Sequence, residues 1–324
     1  MWQALSSPWY TADDREPKPT RARRIARKNP GRRGRGPANA SPVSEDASIG
    51  NADRQIGPSP APGHPPEALA RLQAVTFAYG SGAVALENVT LDLRRGEFLS
   101  FIGPSGCGKS TMLRLLSGLS RPTRGEILWA DRAKRSSGGT VPGTFPVSIV
   151  FQDPTLLPWR TSIDNAALPL ELAGVSRQER QAAAVTALKR VGLGSHLSAL
   201  PRHLSGGMRM RVAIARALVV NPDLLLMDEP FGAVDAITRE RLQEQLLRIW
   251  QDANCTVAFV THSVDEAVFL SSRIALMTPR PGHVVRTFDV EIPYPRSTEV
   301  RDSTAFRSKR ESVHRSLFEQ LEPW

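Results

Sequence analysis

The chain has 324 residues, a formal net charge of +10 and only two cysteines, Cys107 and Cys255. This length allows one substantial core with an inserted subdomain and a tail. A chain with only two cysteines is not expected to depend on a disulfide framework. No apolar stretch approaches the roughly 18 residues needed to cross a bilayer. The composition therefore predicts a protein of a reducing compartment that reaches a membrane only through a partner.

Residues 1–68 differ in composition from the rest of the chain. Basic runs at residues 21–28 and 32–35 precede Pro- and Gly-rich sequence with few large apolar residues. Such sequence cannot bury enough apolar surface to fold, so we predict a disordered tail. The basic runs could bind anionic lipid or nucleic acid, although a solvated tail without a specific ligand is the simpler interpretation. The first residues also lack the pattern of a secretory signal peptide.

Residues 70–100 favour antiparallel strands and end in an apolar run at residues 98–102, which a glycine-rich loop follows. The loop, GPSGCGKS at residues 103–110, fits the phosphate-binding pattern G-x-x-x-x-G-K-S/T and precedes a helical-looking segment. Its backbone N–H groups and the helix N-terminus can bind a polyphosphate. Lys109 would then reach the β- and γ-phosphates, and Ser110 would hold Mg²⁺.

Between this loop and the next motif, strands give way to helices. Residues 125–150 favour strands interrupted by the loop at residues 136–139, and Gln152 follows the last of them. A lone glutamine at a strand end is ordinarily a solvated residue. Residues 160–204 carry helical patterns, including one from Arg177 to Val191. A helical insert therefore separates the phosphate loop from the rest of the predicted sheet.

A second small-residue motif, LSGGM at residues 204–208, opens a helix for which Ser205 is the expected N-cap. The apolar run at residues 224–227 then predicts a buried parallel strand that ends in Asp228 and Glu229. Adjacent carboxylates at such a place are costly unless something there requires charge. Asp228 suits Mg²⁺, and Glu229 suits a base that polarises water for attack on a γ-phosphate, although a solvated acidic turn would explain this segment taken alone.

The last predicted elements continue the alternation of strand and helix that begins at residue 224 and favours a parallel sheet with crossovers. The β-branched run at residues 256–261 predicts a buried strand, and His262 follows it. A single histidine in this position is more often structural than catalytic. Residues 313–321 predict a short amphipathic helix that packs on the domain.

Taken together and in this order, these motifs resemble the ATP-binding subunit of an ABC transporter over roughly residues 70–290. The resemblance implies an α/β fold of the P-loop NTPase type: a mainly parallel sheet core, an antiparallel β subdomain and an inserted helical subdomain. It assigns residues 69–290 to an ABC ATPase domain, with the helical subdomain at about 153–205, and residues 291–324 to a C-terminal tail with a short helix.

The resemblance also implies roles for individual residues. ATP would bind between two head-to-tail copies, against the loop of one copy and the LSGGM signature of the other. The loop residues are Gly103, Pro104, Ser105, Gly106, Cys107, Gly108, Lys109, Ser110 and Thr111, and those of the signature are Ser205, Gly206, Gly207 and Met208. Tyr79 would stack on adenine, although an ordinary half-buried strand aromatic fits the pattern equally well.

The remaining implied roles concern hydrolysis and subunit contact. Gln152 would touch Mg²⁺ and the attacking water, Asp228 would hold the same ion, and Glu229 would assist the water. His262 would contact the γ-phosphate, and Asp235 would contact the second subunit. The chain departs from the usual family pattern with Met210 in place of Gln and Val234 in place of Leu. We expect these departures to alter contacts without abolishing hydrolysis.

Three further segments indicate a subfamily: residues 153–159, 265–270 and 280–282 resemble those of importers of aliphatic sulfonates, nitrate or taurine. Such proteins work with two transmembrane permease subunits and an extracytoplasmic solute-binding protein, at the cytoplasmic face of the inner membrane. The resemblance favours aliphatic sulfonates, then nitrate or taurine, then a pyrimidine-type precursor. Leu156, Leu157 and Trp159 either dock the permease or fill the core of the helical subdomain.

A contrasting hypothesis is a soluble ABC-type ATPase that acts on nucleic acid through the basic tail. Proteins of that kind often carry two cassettes in one chain, whereas this sequence has one phosphate loop and one signature. A nucleotide-binding module without hydrolysis is a third hypothesis, which the presence of both Glu229 and His262 disfavours. We therefore expect an importer ATPase that requires ATP and Mg²⁺, without a specific nucleic-acid partner.

Overall fold

The computed structural model describes residues 67–80, 82–130, 147–232, 234–253, 255–278 and 281–320. Almost all of the predicted tail at residues 1–68 therefore lies outside the described residues. The predicted loop at residues 136–139, Arg280 of the third subfamily segment and Leu321 of the predicted C-terminal helix lie outside them as well.

The described residues form strands and helices in alternation. The strands are β1 (Ala68–Ala78), β2 (Val84–Arg94), β3 (Phe98–Ile102), β4 (Arg124–Trp129), β5 (Val147–Val150), β6 (Leu224–Asp228), β7 (Thr256–Val260), β8 (Arg273–Met277) and β9 (Val284–Asp289). The helices are α1 (Lys109–Leu116), α2 (Ser162–Leu172), α3 (Arg177–Arg190), α4 (Gly206–Leu218), α5 (Ala236–Ala253), α6 (Val264–Leu270) and α7 (Thr304–Glu319), with short 3-10 helices at Pro201–His203 and Thr298–Asp302.

These strands form two sheets. β1 pairs antiparallel with both β2 and β4, in the order β2-β1-β4. The larger sheet has the order β5-β6-β7-β3-β8-β9, in which all neighbours are parallel except β8 and β9. The predicted fold class, a mainly parallel core with an antiparallel subdomain, is confirmed. The expectation of antiparallel pairing through residue 100 was wrong for β3, which lies inside the parallel sheet.

The larger sheet is buried on both faces, which explains the continuous apolar runs of its strands. Alternate residues of β3 point to opposite faces. Phe98 and Ile102 belong to a core that includes α4, α5 and α6, whereas Leu99 and Phe101 belong to a second core with α1 and the antiparallel sheet. The strand that leads into the phosphate loop is thereby fixed from both sides.

The helical insert consists of α2 and α3, which pack against α4. Thr161, Ser176 and Ser205 cap the three helices, because each side-chain oxygen accepts a hydrogen bond from a backbone N–H three residues later. The sequence prediction of Ser205 as an N-cap is correct. None of the described helices is both long and apolar enough to cross a bilayer.

The C-terminal segment packs on the ATPase core. Its helix α7 starts at Thr304, nine residues before the predicted helix, and buries Phe306 and Val313. Arg296, which is itself buried, donates hydrogen bonds to backbone carbonyls at the end of α6, including those of Val268, Phe269 and Ser271. These carbonyls would otherwise lack partners at a helix end, so the segment completes that end.

Candidate nucleotide site

A cavity of about 540 Å³ opens where the carboxyl ends of β3, β6 and β7 meet. Its lining combines residues of the phosphate loop, the end of β1, the start of β2 and Glu229. The lining residues are Tyr79, Ala83, Val84, Ala85, Ser105, Gly106, Gly108, Lys109, Ser110, Thr111 and Glu229. Ligands of open α/β sheets bind at this position, outside the carboxyl ends of the strands.

Two glycines of the phosphate loop occupy places that a side chain could not share. Gly108 has φ 95°, and a Cβ there would lie 2.8 Å from the carbonyl oxygen of Ala85. A Cβ on Gly103 would lie 2.5 Å from the carbonyl oxygen of Met277. The loop can therefore turn tightly into α1 only with glycine at these positions.

Lys109 lies inside the loop and is almost fully buried. Its Nζ donates to the carbonyl oxygens of Gly103 and Pro104, at 2.8 and 3.0 Å. The ammonium group is thus held beside the loop N–H groups, where a polyphosphate would place its negative charge.

Ser110 and Asp228 form the candidate Mg²⁺ site. Burial raises the pKa of Asp228, and the side-chain hydrogen bond with Ser110 acts in the opposite direction. A hydroxyl and a carboxylate that already contact each other at the edge of a phosphate site are hard oxygen donors of the kind that Mg²⁺ prefers. The residues present therefore fit this ion.

Glu229 has an unusual backbone conformation. Its φ of 44° lies in the left-handed region, which is uncommon for residues other than glycine, asparagine and aspartate. The conformation is held by hydrogen bonds from its N–H to Val260 O and from Gly232 N–H to its own carbonyl, both 3.0 Å long. Its Oε2 lies 3.3 Å from Nδ1 of His262, so the two predicted catalytic side chains meet.

Gln152 lies on the other side of the same turn. Its Nε2 is 3.0 Å from the position that a Cβ on Gly232 would take. The loop after Gln152 is held by Arg216 of α4, which donates to the carbonyl oxygens of Thr155 and Pro154 at 2.9 and 2.8 Å. Sequence reasoning missed Arg216, because nothing in the pattern of α4 shows which loop its guanidinium reaches.

Tyr79 closes the outer side of the cavity. The residue is 41% exposed, its ring contacts Phe77 edge-to-face with centroids 5.1 Å apart, and its hydroxyl lies 2.9 Å from Oγ1 of Thr111. A half-exposed ring fixed beside the phosphate loop can receive a base on its free face. The position favours adenine stacking over an ordinary strand aromatic, and stacking itself stays a prediction.

The signature residues do not line this cavity. Ser205 Oγ accepts from Met208 N–H at 3.3 Å, and Gly207 packs against α5, since a Cβ there would lie 2.8 Å from Cγ2 of Thr238. Asp235 accepts from the N–H of Thr238 at 3.0 Å, and this backbone hydrogen bond lowers the pKa of its carboxyl group. A role of the signature toward a second subunit stays a prediction.

The two departures from the family pattern are both buried. Met210 is 2% exposed and belongs to the core around α4, and Val234 is also buried. Neither lines the cavity described above. The burial of Met210 explains why an apolar side chain is tolerated there, because a buried amide would require hydrogen-bond partners. At Val234 one buried apolar side chain replaces another.

The apolar residues after Gln152 differ in burial, which bears on the two roles considered for them, docking of a permease and filling of the core. Leu156 packs against the main core, and Leu157 is half-buried. Trp159 is 73% exposed and borders a groove of about 280 Å³ in the helical insert. Leu156 therefore fills the core, whereas the exposed side chain of Trp159 is accessible to a partner.

A phosphate loop, a carboxylate pair and a histidine at the ends of adjacent parallel strands define a nucleotide-hydrolysing protein of the P-loop class. The family profile described as "ABC transporter" matches residues 86–232. The taurine import ATP-binding protein TauB of Rhizobium johnstonii is 48% identical over 220 residues, which cover 67% of this chain and 82% of that protein. The chain belongs to the ATP-binding proteins of ABC transporters and is an ABC-type ATPase.

Solved structures agree with this assignment. The dimeric structure of MJ0796, a bacterial ABC transporter cassette, is 34% identical to the chain, with a TM-score of 0.57 over 69% of this chain and 100% of the cassette. The same cassette in a post-hydrolysis state bound to ADP and Pi is 33% identical, with a TM-score of 0.57 and the same coverage. The predictions of an ABC fold and of an ATPase are confirmed.

Proposed function

We propose that the chain is the ATP-hydrolysing subunit of an importer for a small sulfonate or a related solute, with aliphatic sulfonates as the first candidate and taurine or nitrate next. The observation that carries the proposal is the convergence of the phosphate loop, Glu229 and His262 at one edge of the sheet. The similarity to TauB, whose name states taurine import, supports the choice of solute.

ATP binding uses groups that the fold places around the cavity. The loop N–H groups and the N-terminus of α1 bind the phosphates, and Lys109 moves from the carbonyls of Gly103 and Pro104 to the phosphate oxygens. Adenine stacks on the exposed face of Tyr79. Ser110 and Asp228, with Gln152, would hold Mg²⁺, which neutralises charge on the phosphates when bound.

Hydrolysis depends on Glu229 and His262. The Glu229 carboxylate accepts a proton from the attacking water. His262, at 3.3 Å from this carboxylate, donates a hydrogen bond toward the γ-phosphate and restrains the base. Both groups act in the transition state, so their loss should affect turnover more than ATP binding.

A second copy of the chain completes the site. The signature lies away from the cavity of its own subunit, and Ser205 begins a helix whose first N–H groups suit an anion. In the proposed dimer this helix contacts the γ-phosphate held by the partner, so that ATP closes the dimer and hydrolysis reopens it. The dimeric cassette MJ0796 supports this arrangement by similarity.

A permease docks on the groove beside Trp159. The groove is lined by an exposed indole and by charged side chains of both signs: Trp159, Arg160, Asp164, Glu171, Arg177, Arg180 and Gln181. An exposed tryptophan gains free energy when a partner covers it. The partner is a cytoplasmic segment of a transmembrane permease, which places the chain at the inner face of the membrane, and a solute-binding protein outside supplies the solute.

Solute uptake tests the proposal. Cells that lack the chain are given labelled taurine, an alkanesulfonate, nitrate and hydroxymethylpyrimidine, and are complemented with the wild type or with Glu229→Gln. Selective loss of sulfonate uptake that only the wild type restores is the expected result. Normal uptake of all four solutes without the chain would contradict the assignment to this importer subfamily and favour the soluble alternative.

A further inference from the structure

The C-terminal segment contacts the ATPase core close to the strand that carries His262. Arg301, in the 3-10 helix Thr298–Asp302, places its guanidinium 4.2 Å from the ring centroid of Phe269. The same group donates from Nη2 to Oε1 of Gln243 at 2.6 Å. A planar cation stacked on a ring and hydrogen-bonded at one end has little freedom to move.

Gln243 links Arg301 to a buried carboxylate, that of Glu266. Its side chain, on α5, is 1% exposed, and its Nε2 donates to Oε1 of Glu266 at 3.1 Å. Both ends of the amide are therefore used, since the oxygen accepts from Arg301 and the nitrogen donates to Glu266. A flip of the amide would set like groups against each other at both ends.

Glu266 fixes the backbone on both sides of His262. The carboxylate is 8% exposed, and its Oε2 accepts from Oγ1 of Thr261 at 2.6 Å. The same Oγ1 accepts from the N–H of Ser263 at 3.0 Å. The residues before and after His262 are thus anchored to one buried point.

His262 itself has few restraints of its own. Its side chain is 67% exposed, and within the described residues its recorded side-chain contact is the one with Glu229. The direction of the imidazole therefore depends on the backbone that Thr261 and Ser263 hold. A shift of this backbone by a fraction of an ångström changes the distance between His262 and Glu229 directly.

The same carboxylate borders the loop of Asp235. Arg239 lies 3.9 Å from Oε1 of Glu266 through its Nε, and its Nη2 donates to the carbonyl oxygen of Val234 at 2.8 Å. Glu266 thus lies between the histidine, the expected subunit contact and the C-terminal segment. The hydrogen bonds of Gln243, Glu266 and Thr261 form one buried network, and such a network loosens when one of its members is removed.

We propose that the chain of contacts Arg301–Gln243–Glu266–Thr261 lets the C-terminal segment position His262 for hydrolysis. Glu266 and Arg301 are positioning residues in this role, because they act through His262 and touch no substrate. The inference rests on the catalytic function proposed above for His262. It assigns to the C-terminal segment an effect on turnover that is separate from any effect on ATP affinity.

The test is steady-state and single-turnover ATPase of the full-length chain. Arg301→Met keeps an unbranched side chain over Phe269 but removes the donor to Gln243. We expect kcat to fall about three- to tenfold while KM for ATP stays within about twofold, because a misplaced group costs transition-state stabilisation. Thr261→Val, an isosteric change at the other end of the chain of contacts, should give the same pattern.

A His262→Ala background separates positioning from general destabilisation. There, Arg301→Met and Thr261→Val should have no further effect on the residual single-turnover rate, because the group that they position is absent. Arg307→Met is the matched control: Arg307 lies on α7 nearby, is exposed and pairs only loosely with Asp302 at 3.5 Å. This control should keep the wild-type kcat.

The other possible results contradict either the positioning role or the proposed role of His262. Additive losses in the His262→Ala background, an effect confined to KM, or wild-type kcat in both variants would overturn the positioning role. Wild-type kcat in His262→Ala alone would instead reject the proposed role of the histidine. If Arg301→Met does not fold, Thr261→Val decides the question in the same assays.

Discussion

The nucleotide cavity and the groove beside Trp159 differ in whether their side chains have partners within the chain. In and beside the cavity, Lys109, Glu229 and Asp228 have partners within the chain, and the strands beneath them are buried on both faces. In the groove, Trp159 is largely exposed, and the ion pair of Arg160 with Glu171, 2.8 Å long, lies near the surface. The first region therefore has its charged groups held in place before a ligand binds, whereas the second leaves a large aromatic side chain uncovered.

Glu229→Gln should produce the largest difference between the two regions. The amide keeps the size of the side chain but cannot take a proton from water, so we expect ATP turnover to fall at least about 10²-fold. ATP binding, measured by equilibrium titration, should stay near the wild-type value, and the groove should be unaffected. A variant that retains more than about a tenth of the wild-type turnover would show that another group is the base.

Trp159→Glu should give the converse result. A charge on the exposed surface disturbs no core, so the isolated chain should hydrolyse ATP within about twofold of the wild type, whereas uptake in cells should fall about tenfold or more. Leu172→Glu is the matched control, since Leu172 is 81% exposed in the same subdomain but does not line the groove. Equal loss of uptake in both variants would contradict docking at the groove.

Tyr79 tests the outer wall of the cavity. Tyr79→Ala removes the ring and should raise KM for ATP about tenfold, a size consistent with the stacking of one base on an aromatic side chain. Tyr79→Phe removes only the hydroxyl contact with Thr111, which is 2.9 Å long, and should stay within about twofold. If the phenylalanine variant is as weak as the alanine variant, the hydroxyl and not the ring supports the nucleotide.

Glu97 should give the smallest effect, on stability and not on turnover. Burial raises its pKa to about 7, although the ion pair with Arg273, 3.0 Å long, acts in the opposite direction. The unfolded value is near 4.3, so between about pH 4.5 and 7 the folded protein binds more protons than the unfolded chain. The free energy of unfolding therefore falls as pH rises through this window, and it levels off above it.

Urea unfolding of the wild type and of Glu97→Gln at about pH 5 and about pH 8 measures this contribution. From the lower to the higher pH, the wild type should lose on the order of 2 kcal/mol relative to the variant, which has no proton to release. A difference between the two proteins that does not change with pH would place the pKa of Glu97 in its ordinary range. ATP turnover should be the same in Glu97→Gln and in the wild type, since Glu97 is not among the cavity residues.

Local patterns in the sequence predict the conformation of the phosphate loop and of the helix that follows Ser205. The glycines around Lys109, the apolar run before them and the capping serine at residue 205 each indicate a local conformation that tertiary packing does not override. The order of strands is different: β3 lies between β7 and β8, which are more than 150 residues further along the chain. No local pattern shows that this order brings the phosphate loop after β3 next to the end of β7, where His262 lies.

The extent and the contacts of the C-terminal segment could not be predicted from the sequence. The apolar side chains that α7 buries are few and widely spaced, so periodicity indicates only the last part of the helix. The contacts of Arg301 and Gln243 with Glu266 join three elements, and each residue alone resembles an ordinary solvated side chain. Likewise, the pattern of the loop after Gln152 could not separate Leu156, which turns inward, from Trp159, which turns outward.

The left-handed backbone at Glu229 has a consequence for engineering. Glycine would adopt φ 44° without a steric penalty, whereas a residue with a Cβ adopts it at a cost of about 1 kcal/mol or more. Replacement of Glu229 by glycine would therefore relieve this strain and at the same time remove the proposed base. Under the proposed role of Glu229, relief of backbone strain and turnover impose opposite demands on this position, so a library screened by melting temperature needs an activity assay beside it.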